Sequence, residues 1–423
     1  MPTSTSMDRT RNRPTLAVYI LAAAIFAQGT SEFMIAGLLP GLTHDLGVSV
    51  PRAGMLITAF ALGMMIGAPV MTLLTLRLPR KITLLVAAGG YVIMHLVGVL
   101  MHSYAGLMIT RVVAAVLYAT FWSAAAVIAT WLSGPRLLAR SLALLVGGLS
   151  VANVIGVPAG TWLGERYGWR AAFVAVAVAT AITGVLILIL VPDTETRGGV
   201  RPGQLIGDEI GVFRSGRLWL ALLTTALFQG GVFAAFSYFA PLLINVTGIA
   251  AGRVPIYLLL FGVGAFLGTT LGGRFADRGP LANVMISLVA TLIASVILLV
   301  SAGWPIATAI AILLYALAAF SIAGGLNARV MGFAGSAPTL AAAVNTSAFN
   351  VGNAIGPWFG GLAITAGFGF RSPIVAGMIM LGLSLLVAVV SLIIERRTAA
   401  ARRPETVSSP AVPKATENAT CDV

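Results

Sequence analysis

Two charged residues, Glu32 and Arg111, lie inside apolar stretches of the sequence that could otherwise face lipid. Glu32 is the only acidic residue in such a stretch, which runs over residues 15–39. A carboxylate in hydrocarbon is costly, so a chain that keeps one there generally uses it. Burial disfavours the charged form of a carboxyl, whereas a nearby guanidinium favours it. A group under both influences can bind and release a proton as its surroundings change, which is the chemistry that proton coupling needs.

The two charges are expected at similar depths in neighbouring helices. At a helical rise of about 1.5 Å per residue, Glu32 lies about 12 Å before Pro40, on a helix that runs outward. Arg111 lies about 6 Å past Leu107, on a helix that runs inward. Contact between the two side chains is therefore expected. The alternative is a permanent ion pair that only holds two helices together.

The composition of the whole chain indicates a polytopic membrane protein. Its 423 residues are 58% hydrophobic and 9% charged, with a mean hydropathy of +0.98. A soluble domain carries about 25% charged residues. The net charge of +13 comes from basic residues in short loops, which is not the pattern of a nucleic-acid-binding protein. The single cysteine, Cys421, gives no disulfide framework, and we expect no metal site and no cofactor.

The positions of the apolar runs predict an all-α membrane protein with twelve transmembrane helices. A spanning helix needs about 20 apolar residues. The predicted spans are residues 15–39, 51–76, 82–100, 107–130, 141–163, 171–191, 218–244, 255–273, 281–301, 306–328, 339–366 and 373–394. The predicted divisions are an N-terminal tail (1–14), a six-helix bundle (15–191), a linker (192–217), a second six-helix bundle (218–394) and a disordered tail (395–423).

The distribution of basic residues predicts the orientation in the membrane. With twelve spans, both termini lie on one side, and most of the 26 Lys and Arg lie there with them. The opposite side has only Arg52, Arg166, Arg170, Arg253 and Arg371. Because basic loops stay in the cytoplasm, both termini and the linker are predicted to be cytoplasmic, in a bacterial inner membrane.

The chain also matches itself at an offset of 201 residues. Gly, Pro, Arg and Gln dominate the matches, as in Gln28 with Gln229 and Gly47 with Gly248. Chance matching in an apolar sequence would give mostly Ala and Leu. The two bundles are therefore predicted to be parallel, pseudo-symmetric halves, a plan in which substrate binds between the halves near mid-membrane.

Several motifs carry a resemblance to the major facilitator superfamily. Residues 273–278 read Gly-Arg-Phe-Ala-Asp-Arg and resemble its gating loop Gly-x-x-x-Asp-Arg. The first-half copy keeps Arg77 but has Thr72 and Leu76 where the Gly and Asp belong. Arg111 resembles the family's intramembrane arginine on helix 4, although Ala115 replaces that motif's glycine.

Two further segments resemble one branch of that superfamily, the twelve-helix drug–proton antiporters. Gly156-Val-Pro158 resembles their Gly-Pro motif on helix 5, and a matching form with Gly356-Pro357 occurs on helix 11. Residues 28–39 look most like the chloramphenicol exporters of actinomycetes and, more distantly, the sugar-efflux carriers.

The resemblance implies roles for individual residues. The implied proton-coupling residues are Glu32 and Arg111. The implied substrate-binding residues are Gln28, Tyr118, Trp122, Gln229, Phe233, Phe236, Tyr238, Asn327 and Asn350. The implied gating residues are Arg77, Asp277, Arg278, Gly156, Pro158, Gly356 and Pro357. Asp277 is expected near the N-terminus of the helix starting at Ser141, where the helix dipole favours an anion. His95 is expected to be a packed neutral imidazole rather than a proton relay.

The glycine-rich faces of helices 2, 5, 8 and 11 predict how the halves meet. Small residues four apart allow close helix approach. Helix 2 is expected to pack on helix 11, and helix 5 on helix 8, across the seam between the halves.

The leading prediction for function is a monomeric, proton-driven exporter of a small lipophilic drug such as chloramphenicol. The second is a sugar or nucleoside exporter of the same fold, and the third is a membrane sensor that transports nothing. The partners are then a small-molecule substrate, the proton and the lipid bilayer, without nucleic acid. No pattern in the sequence indicates an enzyme.

Overall fold

The computed structural model describes residues 14–75, 78–193, 215–333 and 338–401. Within these ranges the chain is almost wholly helical and contains no β-strand, which confirms the predicted all-α class. The helices of the first half are α1 Leu16–Leu46, α2 Val50–Leu74, α3 Arg80–Leu100, α4 Tyr104–Val151, α5 Val157–Tyr167 and α6 Trp169–Leu190. A π-helical turn, Ala152–Gly156, joins α4 to α5.

The second half contains more, shorter pieces. Its helices are α7 Gly216–Phe236, α8 Phe239–Asn245, α9 Val254–Ala276, α10 Pro280–Ser301, α11 Pro305–Phe320, α12 Ala323–Phe333, α13 Pro338–Ala363 and α14 Ser372–Ala401. A 3-10 turn, Ala251–Arg253, precedes α9, and a π-helical turn, Ile364–Phe368, follows α13.

Eleven segments of the described chain are helical, apolar and long enough to cross a bilayer. They correspond to eleven of the twelve predicted spans. The twelfth, residues 339–366, corresponds to α13, which is helical but carries Asn345, Asn350 and Asn353 among its apolar residues. These amides lower its mean hydropathy.

The backbone between the fourth and fifth spans is helical, so both lie within α4, but the chain folds back between them. The hydroxyls of Ser133 and Ser141 form a hydrogen bond, although residues eight apart in a straight helix are separated by about 12 Å. The two spanning segments are Tyr104–Ser133 and Arg140–Tyr167, so Ser141 lies at the beginning of the fifth span.

One helix end differs from the sequence prediction. Helix α14 continues beyond Ile394 to Ala401. This extension is stabilised by Glu395, which accepts a hydrogen bond from the buried Arg329 guanidinium at 2.7 Å.

The internal repeat is visible in the backbone. Gly47, which ends α1, has φ of 61°, and its repeat partner Gly248 has φ of 74°. Both values lie in the left-handed region that favours glycine. The matched residues in the two halves therefore make the same turn.

The helix pairs predicted to cross the seam are present, but the glycine ladders are not their contact faces. Helix α2 packs on α13, and the segment of α5 with its π-turn packs on α9. However, Gly63 and Gly67 face α4 within the first half, and Gly264 and Gly268 face α11 within the second. The glycines therefore allow close packing inside each half, and the expectation that these faces line the seam is wrong.

Buried apolar residues show where the halves meet. A single core cluster joins both halves and includes Leu39 and Leu42 near the end of α1, together with Leu242 and Leu243 of α8. At the opposite end, where α1 begins, two further clusters are each confined to one half. The halves are thus closed against each other where α1 ends and have separate cores where it begins.

Gly156 offers a direct test of packing inside the first half. A methyl group there would press on Thr30 of α1, whose hydroxyl is held by a 2.8 Å hydrogen bond to the Phe26 carbonyl. We expect Gly156→Ala to destabilise the protein by about 1–3 kcal/mol through overpacking. Thermal unfolding of the detergent-solubilised protein measures the change.

Gly147 provides the matched control, because a methyl group there would meet no atom within 4 Å. Alanine is favoured over glycine inside a helix by about 0.5–1 kcal/mol, so Gly147→Ala should stabilise slightly. Equal melting temperatures for the two variants would contradict the contact between Gly156 and Thr30.

Candidate functional site: a cavity between the two halves

A cavity of about 340 Å³ lies between the halves. This volume falls within the range of about 300–1,000 Å³ typical of small-molecule sites. The first half contributes Glu32, Phe33, Tyr118, Trp122, Ser150 and Asn153 to its wall. The second half contributes Phe228, Gln229, Phe233, Asn327, Asn350 and Asn353. With the aliphatic residues that also line it, the wall is mainly apolar, about half of that apolar part is aromatic, and it includes several amides and one carboxyl.

Most of the predicted substrate-binding residues line this cavity. Those that do are Tyr118, Trp122, Gln229, Phe233, Asn327 and Asn350. Gln28 is fully buried in α1 and does not line it. Phe236 instead stacks on Phe261, with ring centroids 4.5 Å apart. The Tyr238 hydroxyl donates to the Pro357 carbonyl oxygen at 2.8 Å, away from the cavity.

Glu32 places its carboxyl at the cavity wall from the middle of α1. The residue is 8% exposed, and its cavity neighbours include the rings of Phe33 and Tyr118. Within the part of the chain that the structure describes, the carboxyl has no hydrogen bond or ion pair at 4.0 Å or less. It is therefore a buried acid that faces the space where a ligand would bind.

Arg111 contacts the residue beside Glu32 rather than Glu32 itself. It is 1% exposed, and its Nη1 and Nη2 donate to the Ser31 hydroxyl at 2.8 Å and the Ser31 carbonyl oxygen at 3.0 Å. Its guanidinium also lies 4.3 Å from the centroid of the Phe60 ring. Successive residues on a helix point in different directions, so α1 presents Ser31 to α4 and Glu32 to the cavity. The expected direct contact between the two charges is not formed.

His95 on α3 completes this group and was not predicted to have a role. It is 2% exposed, and its Nε2 lies 2.7 Å from the Ser31 hydroxyl. Its Nδ1 lies 3.0 Å from the Tyr91 carbonyl oxygen, and the Tyr91 hydroxyl donates to the Gln28 carbonyl oxygen at 2.8 Å. The available signal in the sequence was that His95 is the one histidine inside a predicted span.

Two buried polar atoms at the cavity wall have no hydrogen-bond partner among the described residues. They are the hydroxyl of Tyr118 in the first half and Oδ1 of Asn350 in the second. Buried polar groups in proteins generally make hydrogen bonds. These atoms can therefore provide one polar contact from each half to a ligand.

The predicted gating residues are divided between the helix ends and the helix interiors. Asp277 and Arg278 are exposed directly after α9, while Arg77 lies outside the described residues. Ser141 lies at the beginning of the span Arg140–Tyr167, where the predicted dipole argument for Asp277 applies. The latch remains a prediction.

Of the helix-interior gating residues, Gly156 and Gly356 face helices of their own halves. Gly156 ends the π-turn, and Pro158 is in the first turn of α5. Gly356 lies against Gly230 and Ala234 of α7. No group of three or more potential metal ligands occurs among the described side chains.

Two repeated helical halves with a ligand-sized cavity between them define a secondary transporter of the membrane. The chain belongs to the Major Facilitator Superfamily, whose model matches residues 21–347. It is therefore a transporter of a small-molecule substrate and not an enzyme.

Two relatives are similar over most of their length. The chain is 36% identical over 399 residues to the inner membrane transport protein YdhP of Escherichia coli K12, covering 94% of this chain and 98% of the relative. It is 36% identical over 373 residues to a chloramphenicol resistance protein of Streptomyces lividans, covering 88% and 95%.

A solved structure shares the fold. It is that of a bacterial homologue of the human lysosomal transporter Spinster, in an inward-facing, unoccupied conformation. The TM-score is 0.72 at 18% identity, over 94% of this chain and 98% of the other. At this identity the likeness concerns the fold alone.

Proposed function

We propose that this transporter exports a small, lipophilic, uncharged drug in exchange for protons, with chloramphenicol-like molecules as the first candidates. The observation that carries the proposal is the position of Glu32, a buried acid at the wall of a mainly apolar cavity that is rich in aromatic rings. A proton on this carboxyl and a drug in the cavity compete for the same region. Exchange of one for the other follows from that competition when the two halves alternate their opening.

The cavity wall supports a flat and mostly apolar substrate. Phe33, Trp122, Phe228 and Phe233 offer aromatic surface from both halves. Sites of this kind use few polar groups to fix the orientation of the ligand. The Tyr118 hydroxyl and Asn350 Oδ1 can take a carbonyl or nitro oxygen and a hydroxyl or amide N–H, respectively. The Streptomyces relative named for chloramphenicol resistance supports this class of substrate.

The separate cores at one end support an alternating-access cycle. The halves are closed where α1 ends and have separate cores where it begins. If both termini are cytoplasmic, as the basic loops indicate, this is a conformation open to the cytoplasm. A drug exporter takes up its substrate from that side.

Sugar or nucleoside export by the same fold is the second candidate, and it is favoured by the amides of the second half. However, Gln229 Nε2 already donates to Asn353 Oδ1 at 2.8 Å, and Asn345 Nδ2 donates to Asn327 Oδ1 at 2.8 Å. Amides that satisfy one another are less available to the several hydroxyls of a sugar. This wall therefore suits a substrate with one or two polar groups.

The experiment that tests the proposal is counterflow in proteoliposomes that contain the purified protein and an internal pH-sensitive dye. Chloramphenicol added outside should move protons in the opposite direction, and an imposed pH gradient should drive its accumulation. Empty liposomes and a pentose in place of the drug are the controls. Drug uptake that does not change with the pH gradient would contradict proton coupling. Proton movement with the pentose but not with the drug would favour the second candidate.

A further inference from the structure

We infer that His95 is a positioning residue that, through Ser31, holds the Arg111 guanidinium away from the Glu32 carboxyl. The inference rests on the proposed role of Glu32 in proton coupling and assigns a task to a buried histidine on a helix that does not line the cavity. The group formed by Ser31, His95 and Arg111 is called the Ser31 cluster below.

The donors and acceptors of the Ser31 cluster fix the form of the imidazole. The Tyr91 carbonyl oxygen can only accept, so His95 Nδ1, 3.0 Å away, must carry a proton. In a neutral imidazole Nε2 is then bare and accepts from the Ser31 hydroxyl, 2.7 Å away. The Ser31 oxygen in turn accepts from Arg111 Nη1 at 2.8 Å. Every link has one donor and one acceptor.

A second proton on His95 would disrupt this arrangement of donors and acceptors. Nε2 would then donate to the Ser31 oxygen, and the hydroxyl hydrogen would have to find another acceptor. The imidazolium and the guanidinium would also be two positive charges that share one oxygen atom in a buried site. The geometry of the cluster therefore favours a neutral histidine that orients the hydroxyl.

Few charged or titratable groups face the cluster from the helices packed around it. Helix α1 contributes Glu32, α3 contributes Tyr91, and α4 contributes Arg111 and Tyr118. Helices α2 and α6 present the Phe60 and Phe173 rings, 4.3 and 5.9 Å from the Arg111 guanidinium. Among the residues that the structure describes, Glu32 is thus the one acidic group that Arg111 could contact if its hydrogen bonds to Ser31 were broken.

The consequence of such a release is a change in how readily Glu32 takes up a proton. A guanidinium in direct contact stabilises a carboxylate, which then binds a proton only in more acid solution. By occupying Arg111 with the hydroxyl and carbonyl of Ser31, the cluster leaves Glu32 without a permanent counter-ion. His95 acts on Glu32 only through this chain of contacts.

Two substitutions of His95 separate a positioning role from a proton-carrying one. His95→Phe keeps an aromatic ring among Tyr91 and Phe173 but removes both hydrogen bonds. His95→Gln cannot titrate but can donate to the Tyr91 carbonyl and accept from Ser31. We expect the pH midpoint of proton-coupled chloramphenicol transport in proteoliposomes to fall by about one unit or more in the Phe variant. The Gln variant should keep the wild-type midpoint.

Ser31→Ala provides a second approach that does not depend on how well the Phe variant folds. It removes the hydroxyl that joins Arg111 to His95 and changes little volume, so the midpoint should move in the same acid direction. His102→Gln is the matched control, since it makes the same chemical change at an exposed position. Its midpoint should equal that of the wild type.

The outcomes distinguish the inference from the function on which it rests. A Gln variant that shifts as the Phe variant does would show that the imidazole itself carries a proton, and would overturn the positioning role. Unchanged midpoints in His95→Phe and Ser31→Ala, with a pH-dependent wild type, would also overturn it. If transport by the wild-type protein does not depend on pH, both the proposed function and the inference are overturned.

Discussion

Glu32→Gln is expected to abolish proton-coupled drug transport. Glutamine has nearly the same size and polarity as a protonated glutamic acid, so the wall keeps its shape. The amide cannot release a proton, however, and the carboxyl that it replaces has no other partner among the described residues. A host that expresses the variant should be as sensitive to chloramphenicol as one with an empty vector.

A more specific test of the same variant measures how drug binding depends on pH. If a proton and the drug compete for one carboxyl, each unit of pH below its titration should weaken apparent drug affinity about tenfold in the wild type. In Glu32→Gln, which resembles the protonated acid, the affinity should stay at every pH at the weak value that the wild type has in acid solution. Equilibrium binding of labelled chloramphenicol to protein in detergent, measured from mildly acid to mildly alkaline pH, checks both curves.

Glu165→Gln is the matched control for Glu32→Gln. Glu165 lies in α5, is partly exposed and does not line the cavity. The same chemical change there should leave the pH dependence of binding intact. A Glu32→Gln protein that reaches the membrane and still couples drug movement to protons would place the titrating group elsewhere.

The fold was predictable because long apolar runs and positions of Gly, Pro and Arg carry most of its information. Runs of about 20 apolar residues can only be buried in lipid or in other helices, so their number and order follow from the sequence. The repeat was readable from pairs such as Gly47 and Gly248, which the backbone needs for the same turn. The direction of the glycine faces was not readable, because each helix has several neighbours and small residues suit any of them.

The sequence identified which residues form the site, but not which of them contact one another. Glu32 and Arg111 are identified by their charge alone. Which side chain of α1 meets Arg111 depends on the rotation of that helix, and adjacent residues point apart. Ser31 and His95 were missed as a pair because a serine in an apolar helix usually bonds its own backbone, a pattern that many hydroxyls follow here, as in Thr30 with Phe26.

Arg111→Gln is expected to move the pH profile of transport in the direction opposite to His95→Phe. Opposite charges attract without direct contact, and both Arg111 and Glu32 are buried, so removal of the guanidinium makes the carboxylate harder to form. The carboxyl then holds its proton to more alkaline pH, and we expect the midpoint of transport to rise by about one unit or more. At neutral pH, where release has become rare, transport should fall close to background.

Arg111→Lys separates the charge of this residue from its geometry. An ammonium keeps the positive charge, but it lacks the planar fork that reaches the Ser31 hydroxyl and the Ser31 carbonyl together. One lost charge-assisted hydrogen bond is worth about 1.5–3 kcal/mol. The lysine variant should therefore be less stable and slower than the wild type, while its pH midpoint stays below that of Arg111→Gln. Thermal unfolding measures the stability, and proteoliposome transport measures the midpoint.

The double variant Glu32→Gln with Arg111→Gln shows whether the arginine acts through the carboxyl. Residues that act as a unit have non-additive effects, so the second change should cost no further transport once Glu32 is gone. It should still lower the melting temperature, because the hydrogen bonds to Ser31 are lost in either background. An acid shift in Arg111→Gln, or an unchanged midpoint, would contradict an electrostatic role for Arg111 and leave it as a link between α1 and α4.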